Sequence, residues 1–175
     1  MNNETSAGVA SGTDQRAGQY LTFVLAGEIY GLGILQVREI IGTTDITAVP
    51  RTPTFVKGVI NLRGRVVPVI DARLKFGMPE TEPTDRTCII VVDVGETDVG
   101  LIVDEVSEVV HIPADQIEDA PSFGADVDTR FILGMSKADE EVTILLDLTK
   151  VLAGPELAAM AGVASDATSQ NEGNE

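Results

Sequence analysis

The 175-residue chain has one cysteine, one histidine, no tryptophan, two tyrosines and five phenylalanines. With Cys88 alone no disulfide can form within the chain, and with His111 as the only histidine there is neither a Cys/His metal cluster nor a Cys–His dyad. No apolar run approaches the roughly 20 residues that a membrane-spanning helix needs. We therefore expect a protein of a reducing cytoplasm that is not an enzyme, holds no metal or cofactor, and makes no direct membrane contact.

Positive charge is scarce in the second half of the chain. The formal net charge is −16, and residues 87–175 carry three Lys or Arg against nineteen Asp or Glu, whereas residues 38–86 carry eight against six. An acidic surface repels phosphate, so nucleic acid is not expected as a partner. A high-salt cytoplasm is an alternative explanation for the acidity, because carboxylates keep a protein surface hydrated.

The apolar runs are short, rich in Val and Ile, and come in pairs around turn residues, which predicts antiparallel strands and an all-β fold. The segment "ILQVREIIG" fits either a strand or a short helix. Residues 154–164 read as a terminal helix with Pro155 just inside its start. The polar ends, residues 1–17 and 165–175, are predicted to be disordered tails, the second of them acidic.

The chain also resembles itself with a period near 70 residues. The segment "YLTFVLAGE" aligns with "CIIVVDVGE", which sets Val24 on Val92, and one inserted residue later "GLGILQVREII" aligns with "GLIVDEVSEVV". Further on, Gly58 meets Gly134 and Asp71 meets Asp147. This predicts two copies of a small five-stranded barrel, residues 18–86 and 87–153, that share a packed face. A chance match of two strand-rich segments is the alternative. A groove between the copies would be the default place for a partner.

Three cations surround the turn in "KGVINLRGRVVPVID", namely Lys57, Arg63 and Arg65. Glycine lets the backbone turn at this corner, which places Arg63 on a rim beside apolar residues. A guanidinium there can bind a carboxylate through two hydrogen bonds, and Glu39 is the expected partner within the chain. The alternative is an ordinary exposed arginine in a weak surface ion pair.

Three stretches resemble the CheW family of chemotaxis coupling proteins: "YLTFVLAGEIYGLGILQVREIIG", "ITAVPRTPTFVKGVINLRGRVVPVIDARLKFG" and "IIVVDVGETDVGLIVDEVSEVV". The resemblance covers roughly residues 18–153, and the run "PTFVKGVINLRG" followed by "VPVID" is the most specific part. The chain has neither the catalytic domain of the related chemotaxis histidine kinase nor a receiver domain, so it resembles the stand-alone coupling protein.

The resemblance implies two SH3-like five-stranded barrels in tandem over a shared core, with a short C-terminal helix. It implies a cytoplasmic adaptor, recruited to membrane-bound receptor arrays, that joins the cytoplasmic tip of methyl-accepting chemoreceptors to the regulatory domain of the histidine kinase CheA. The residues it assigns to receptor binding are Ile34, Val37, Glu39, Asn61, Leu62, Arg63 and Val103. Those it assigns to kinase binding are Asp45, Ile46 and Phe55.

Two other functions stay open at this point. The same fold could serve as a regulatory or scaffold module of another two-component kinase pathway. A small hydrolase or isomerase that uses scattered carboxylates is the enzymatic alternative, although Asp104, Glu105 and Glu108 alternate along a strand and are expected to form a solvated acidic edge.

Overall fold

A computed structural model describes residues 16–95, 97–119, 131–138 and 141–152. The predicted terminal helix at 154–164 and the predicted tail at 165–175 lie outside these residues, as does all of the predicted N-terminal tail except residues 16 and 17. Two helices are present in the described part, α1 (Ala72–Lys75) and α2 (Leu148–Val151). Its strands are β1 (Gly18–Leu25), β2 (Glu28–Gly33), β3 (Val37–Gly42), β4 (Val56–Leu62), β5 (Arg65–Asp71), β6 (Cys88–Asp93), β7 (Asp98–Val103), β8 (Glu105–Ile112), β9 (Ile117–Glu118), β10 (Ile132–Ala138) and β11 (Glu141–Leu146).

The strands form two sheets, which confirms the all-β fold class. One sheet has the order β3-β6-β7-β5-β4, and the other has the order β8-β1-β2-β11-β10-β9. We call them the five-stranded barrel and the six-stranded barrel. Neighbours pair antiparallel except β5 with β7 and β2 with β11, which pair in parallel. Each sheet thus has one parallel pair at the corresponding place.

Local turn chemistry explains the hairpins. The β1–β2 turn consists of Ala26 and Gly27 and the β4–β5 turn of Arg63 and Gly64, and all four residues have positive φ. Two-residue turns with both φ values positive follow the right-handed twist of the strands that they join. The ambiguous segment "ILQVREIIG" resolves into a 3-10 turn, Ile34–Gln36, followed directly by strand β3.

The chain crosses between the two barrels. The first hairpin, β1–β2, pairs with β8 and β11, whereas β3, β4 and β5 form a sheet with β6 and β7. Sheet membership therefore does not follow the expected division near residue 86, because each half of the sequence gives its leading hairpin to the sheet of the other half.

The strand pairing supports the internal repeat, but it shifts the alignment of the first segment on its counterpart by one residue. With Gly31 on Gly100, the partners Thr22 and Val91 become equivalent. Phe23 then corresponds to Val92, and no insertion is needed before the second segment. The alignment of Val24 with Val92 was wrong because a shift of one residue turns every side chain of a strand to the opposite face.

Three apolar clusters fill the fold, and the largest is shared by the two barrels. It receives Phe23 and Leu32 from one sheet and Ile70, Val92 and Leu101 from the other. Each barrel also has a small cluster of its own, around Val69 in the five-stranded barrel and Leu145 in the six-stranded barrel. This arrangement confirms the predicted shared core. A row of aromatic rings runs through it, with neighbouring centroids 5.9–6.2 Å apart: Phe23, Tyr30 and Phe76 are stacked, and Phe131 is tilted against Phe76.

Two equivalent aspartates start the helices that follow the last strand of each repeat. Asp71 accepts hydrogen bonds from the backbone N–H groups of Arg73 and Leu74, and Asp147 accepts one from Thr149. A carboxylate at this position satisfies N–H groups that a first helical turn leaves without partners. The alignment of Asp71 with Asp147 therefore has a structural counterpart.

Candidate partner-binding site

The site begins at the two-residue turn between β4 and β5. Arg63 adopts φ +54° and Gly64 φ +83°. The Asn61 side-chain oxygen accepts a hydrogen bond of 2.8 Å from the backbone N–H of Gly64, which fixes the turn from within. This conformation points Arg63 away from the sheet, and its side chain is 71% exposed.

Arg63 and Glu39 form the expected ion pair through two parallel hydrogen bonds. Arg63 Nη1 donates to Glu39 Oε1 at 2.6 Å, and Nη2 donates to Oε2 at 2.9 Å. The hydrogen bonds from Arg63 lower the pKa of Glu39, and those same bonds raise the pKa of Arg63. Strands β3 and β4 lie at opposite edges of their sheet. The pair therefore joins the two edges and shows that the sheet curves back on itself.

A second ionic cluster lies beside this pair and was missed from the sequence. Arg38 donates from Nε to Asp98 at 2.8 Å and from Nη2 to Asp93 at 3.1 Å, and Arg65 lies 3.0 Å from the other oxygen of Asp98. The side chain of Asp98 is only 5% exposed. A buried carboxylate needs paired cations, but its partners lie on β3 and β5, and no local pattern reveals that contact.

All three cations of the turn segment have carboxylate partners. Lys57 pairs with Glu80, Arg63 with Glu39 and Arg65 with Asp98. The predicted acidic edge is likewise more ordered than expected, because Arg73 binds Asp104 through two hydrogen bonds of 2.9 and 2.7 Å. These bonds lower the pKa of Asp104.

The apolar residues predicted for receptor binding differ in accessibility. Ile34 and Val37 are partly buried and pack against the shared core, and Leu62 packs against the core of the five-stranded barrel. Val103 is 1% exposed and belongs to the shared core, so it presents almost no surface. Asn61 is exposed next to the turn.

The most exposed of the large apolar residues in the described part of the chain was not among the candidates. Leu35 lies on the 3-10 turn between Ile34 and strand β3 and is 96% exposed. Its neighbours Ile34 and Gln36 are half-buried, so the leucine protrudes between them. An apolar residue in the middle of "ILQV" was the signal, but without the turn geometry it could not be separated from core residues.

The residues predicted for kinase binding all precede strand β4. Asp45 is exposed, whereas Ile46 is partly buried against the core of the five-stranded barrel. Phe55 packs against the shared core, and the ammonium group of Lys75 lies 4.6 Å from its ring centroid. Asp45 and Ile46 are followed at once by Thr47, which exchanges two backbone hydrogen bonds with Val59 of β4.

The chemically reactive residues have ordinary surroundings. Cys88 is partly buried beside the shared core, and desolvation raises the pKa of its thiol. His111 is exposed near the end of β8. Among the described residues no three His, Cys, Asp or Glu side chains are grouped to hold a metal ion. No helix in that part of the chain has the length and apolar character needed to cross a membrane.

Comparison with known proteins identifies the family. The family model described as a CheW-like domain matches residues 19–156. The chain belongs to the CheW family. A chemotaxis protein CheW from Klebsiella aerogenes is 40% identical over 146 residues, which cover 83% of this chain and 88% of the relative. A CheW from Bacillus subtilis is 37% identical over 133 residues, covering 75% and 85% of the two chains.

A solved CheW structure has the same fold. The crystal structure of the scaffolding protein TtCheW from Thermoanaerobacter tengcongensis matches with a TM-score of 0.74 and 36% sequence identity. The match covers 80% of this chain and 95% of TtCheW. Residues 19–156, which the family model matches, include nearly all of the described residues, Arg63 and Glu39 among them.

Proposed function

We propose that the protein is a non-enzymatic chemotaxis adaptor that binds both methyl-accepting chemoreceptors and the histidine kinase CheA, and so places the two in one array. Membership of the CheW family supports this role. The Arg63–Glu39 pair is the observation that supports assigning this role to particular residues. It is formed through two hydrogen bonds between Arg63 on an exposed turn and Glu39 on β3.

The receptor surface would be built around this pair. A planar guanidinium that is already oriented by Glu39 still has free donor groups, and it loses little conformational entropy when a partner carboxylate or carbonyl binds. Leu35 and Ile34 would add apolar area beside it. Val103, which is buried in the shared core, would contribute by packing beneath the exposed residues of this surface. The full receptor set is Ile34, Val37, Glu39, Asn61, Leu62, Arg63 and Val103.

The kinase surface would lie on the segment before β4. Asp45 is accessible there, and Ile46 and Phe55 connect the segment to two different apolar clusters. Binding at Asp45 and Ile46 would therefore depend on the backbone bridge between Thr47 and Val59. The adaptor would reach the membrane through the receptors and not by contact of its own.

The test is capture of partners by the full-length protein and its Arg63→Glu variant from the cell extract of its source, in that cytoplasm's salt concentration. We expect the wild type to retain CheA and chemoreceptors and Arg63→Glu to lose them, because the new carboxylate faces Glu39. Folding should be unchanged, since substitutions at exposed sites rarely alter stability. Recovery of a different histidine kinase would move the protein to another two-component pathway.

Arg86→Glu is the matched control. Arg86 is also 71% exposed and also pairs with a glutamate, Glu105, so loss of partners in both variants would mean that charge reversal in general is harmful and that Arg63 has no special role. The double reversal Glu39→Arg with Arg63→Glu restores an internal ion pair. Binding that stays lost in the double variant would indicate that the partner contacts Arg63 itself.

A further inference from the structure

Equivalent interior positions of the two barrels differ in polarity. In the five-stranded barrel, Ile60 lies opposite Val67 in the β4–β5 ladder, and both are buried in that barrel's own cluster. In the six-stranded barrel, Ser136 and Thr143 lie opposite each other at the same place in the β10–β11 ladder. Ser136 is 4% exposed. One copy of the repeat thus has hydroxyl groups where the other has only hydrocarbon.

A third position shows the same change. Val91 of the five-stranded barrel corresponds to Thr22, which is 4% exposed. Thr22 Oγ1 donates to the backbone oxygen of Glu108 at 2.8 Å and accepts from its backbone N–H at 3.1 Å. A buried hydroxyl group is costly unless it is hydrogen-bonded, and the five-stranded barrel shows that this fold packs well with valine here.

These hydroxyl-bearing residues line an open cavity of about 340 Å³ at the mouth of the six-stranded barrel. We call it the hydroxyl cavity, and it is lined by Thr22, Ser136, Thr143, Ser107, Glu108 and Glu141, among others that include His111 and Gln116. Among the residues that the structure describes, its lining contains two glutamates and no lysine or arginine. The cavity is therefore rich in hydrogen-bond acceptors and carries negative charge.

The other barrel holds guanidinium groups at its own mouth. Its residues at the places of Ser107 and Glu141 are Arg38 and Arg65, whose guanidinium groups bind Asp98. In the six-stranded barrel Ile29 stands at the place of Asp98, and the acceptors lie instead at the places of the arginines. In the five-stranded barrel the chain supplies its own guanidinium groups to the mouth. In the six-stranded barrel it supplies acceptors and leaves the space open.

We propose that the hydroxyl cavity binds a hydrogen-bond-donating cation, an ammonium or guanidinium group. Carboxylates and hydroxyls accept hydrogen bonds from such a group, and charge-assisted hydrogen bonds are the stronger ones. The cation comes either from a free organic amine or from a Lys or Arg side chain of a protein partner. The proposal is independent of the receptor and kinase surfaces, because none of their assigned residues lines the cavity.

The test is a titration of the ¹⁵N-labelled full-length protein with N-ethylguanidinium, followed by backbone amide shifts. The amides of Thr22, Glu108, Ser136 and Thr143 should shift together and reach saturation. The neutral N-ethylurea has nearly the same shape and should shift them little. Equal effects of the two compounds, or shifts that never saturate, would overturn the proposal.

Variants separate the cavity from the acidic surface in general. Glu141→Gln should weaken binding about tenfold, because it removes the charge from one acceptor, while Glu28→Gln, an exposed glutamate outside the cavity, should leave it unchanged. Thr143→Val copies Val67 of the other barrel and should weaken binding about threefold, because it removes one neutral acceptor, without lowering the melting temperature. Binding that falls equally in Glu28→Gln, or is as tight in Thr143→Val as in the wild type, would contradict the proposal.

A peptide with one arginine, compared with the same peptide containing citrulline, distinguishes the two sources. An arginine peptide that binds more tightly than free N-ethylguanidinium supports a side chain of a partner protein. An arginine peptide that binds no more tightly supports a free amine. A citrulline peptide that binds as well as the arginine peptide would refute recognition of a cation.

Discussion

Replacing Gly58 with alanine should loosen the five-stranded barrel where Thr47 pairs with Val59 of β4. Gly58 has φ +143°, and a Cβ atom built on it would lie far inside van der Waals contact with the carbonyl oxygen of Thr47 and 3.0 Å from the Cα atom of Ala48. Both obstacles belong to the backbone and cannot rotate away. The segment from Thr47 must therefore move off β4.

The cost follows from what this movement breaks. Thr47 and Val59 exchange two hydrogen bonds of 2.9 Å each, and each contributes about 1 kcal/mol net. Alanine at a positive φ adds about 1 to 3 kcal/mol of backbone strain. We expect a loss of roughly 3 to 5 kcal/mol, which lowers the melting temperature of a chain of this size by on the order of 10 °C.

Denaturant unfolding of Gly58→Ala and Gly64→Ala measures this difference. Gly64 also has positive φ, but no atom lies within 4 Å of a built Cβ, so Gly64→Ala should cost only about 1 kcal/mol. Capture of CheA by Gly58→Ala should fall as well, because Asp45 and Ile46 are anchored through Thr47. Equal unfolding midpoints for the two variants would refute the assigned clash.

Other substitutions test separate parts of the fold. Val91→Asp should prevent the five-stranded barrel from folding, so that no cooperative melting transition is seen, because Val91 is 1% exposed and an unpaired buried charge is not tolerated. A normal melting curve would mean that β6 is misplaced. The Arg73 hydrogen bonds hold the pKa of Asp104 below its ordinary 3.8, so the pair stabilises the fold above that pH and loses its effect as pH falls through the lowered pKa. The stability difference between wild type and Asp104→Asn should therefore shrink below pH 3.8, and a difference constant with pH would contradict the pairing. Cys88, whose thiol pKa is raised by burial, should react with iodoacetamide more slowly than free cysteine at pH 8, and an equal rate would show that it is exposed.

The sequence was informative where a contact is local or where two charges have few alternatives. The β4–β5 turn was predicted from glycine between two apolar runs. The Arg63–Glu39 pair was predicted, although its partners are 24 residues apart, because Glu39 is a carboxylate within the apolar run "VREII". Both features depend on short segments whose chemistry is visible without the fold.

Contacts between distant segments were not predictable in the same way. The leading hairpins of the two repeats have equivalent patterns, so periodicity cannot show that they exchange sheets. The Gly-Glu match at residues 27–28 and 95–96 displaced the alignment by one residue, although burial of Phe23 and Val92 requires another register. The role of Asp98 depends on arginines from two other strands, and only the fold brings these three residues together.

The exchanged hairpins also determine how strongly the protein resists a force that pulls its two barrels apart. The chain passes from one barrel to the other between β2 and β3 and between β7 and β8, through three residues and one residue respectively. Moving the barrels apart would stretch these short crossings and pull the adjoining strands out of their sheets, which is a far larger barrier than sliding apart two packed surfaces. The molecule should therefore behave as a rigid bracket, without an internal hinge. If one partner binds each barrel, this rigid protein fixes the distance and angle between the two partners. A displacement of one partner would then move the other by the same amount.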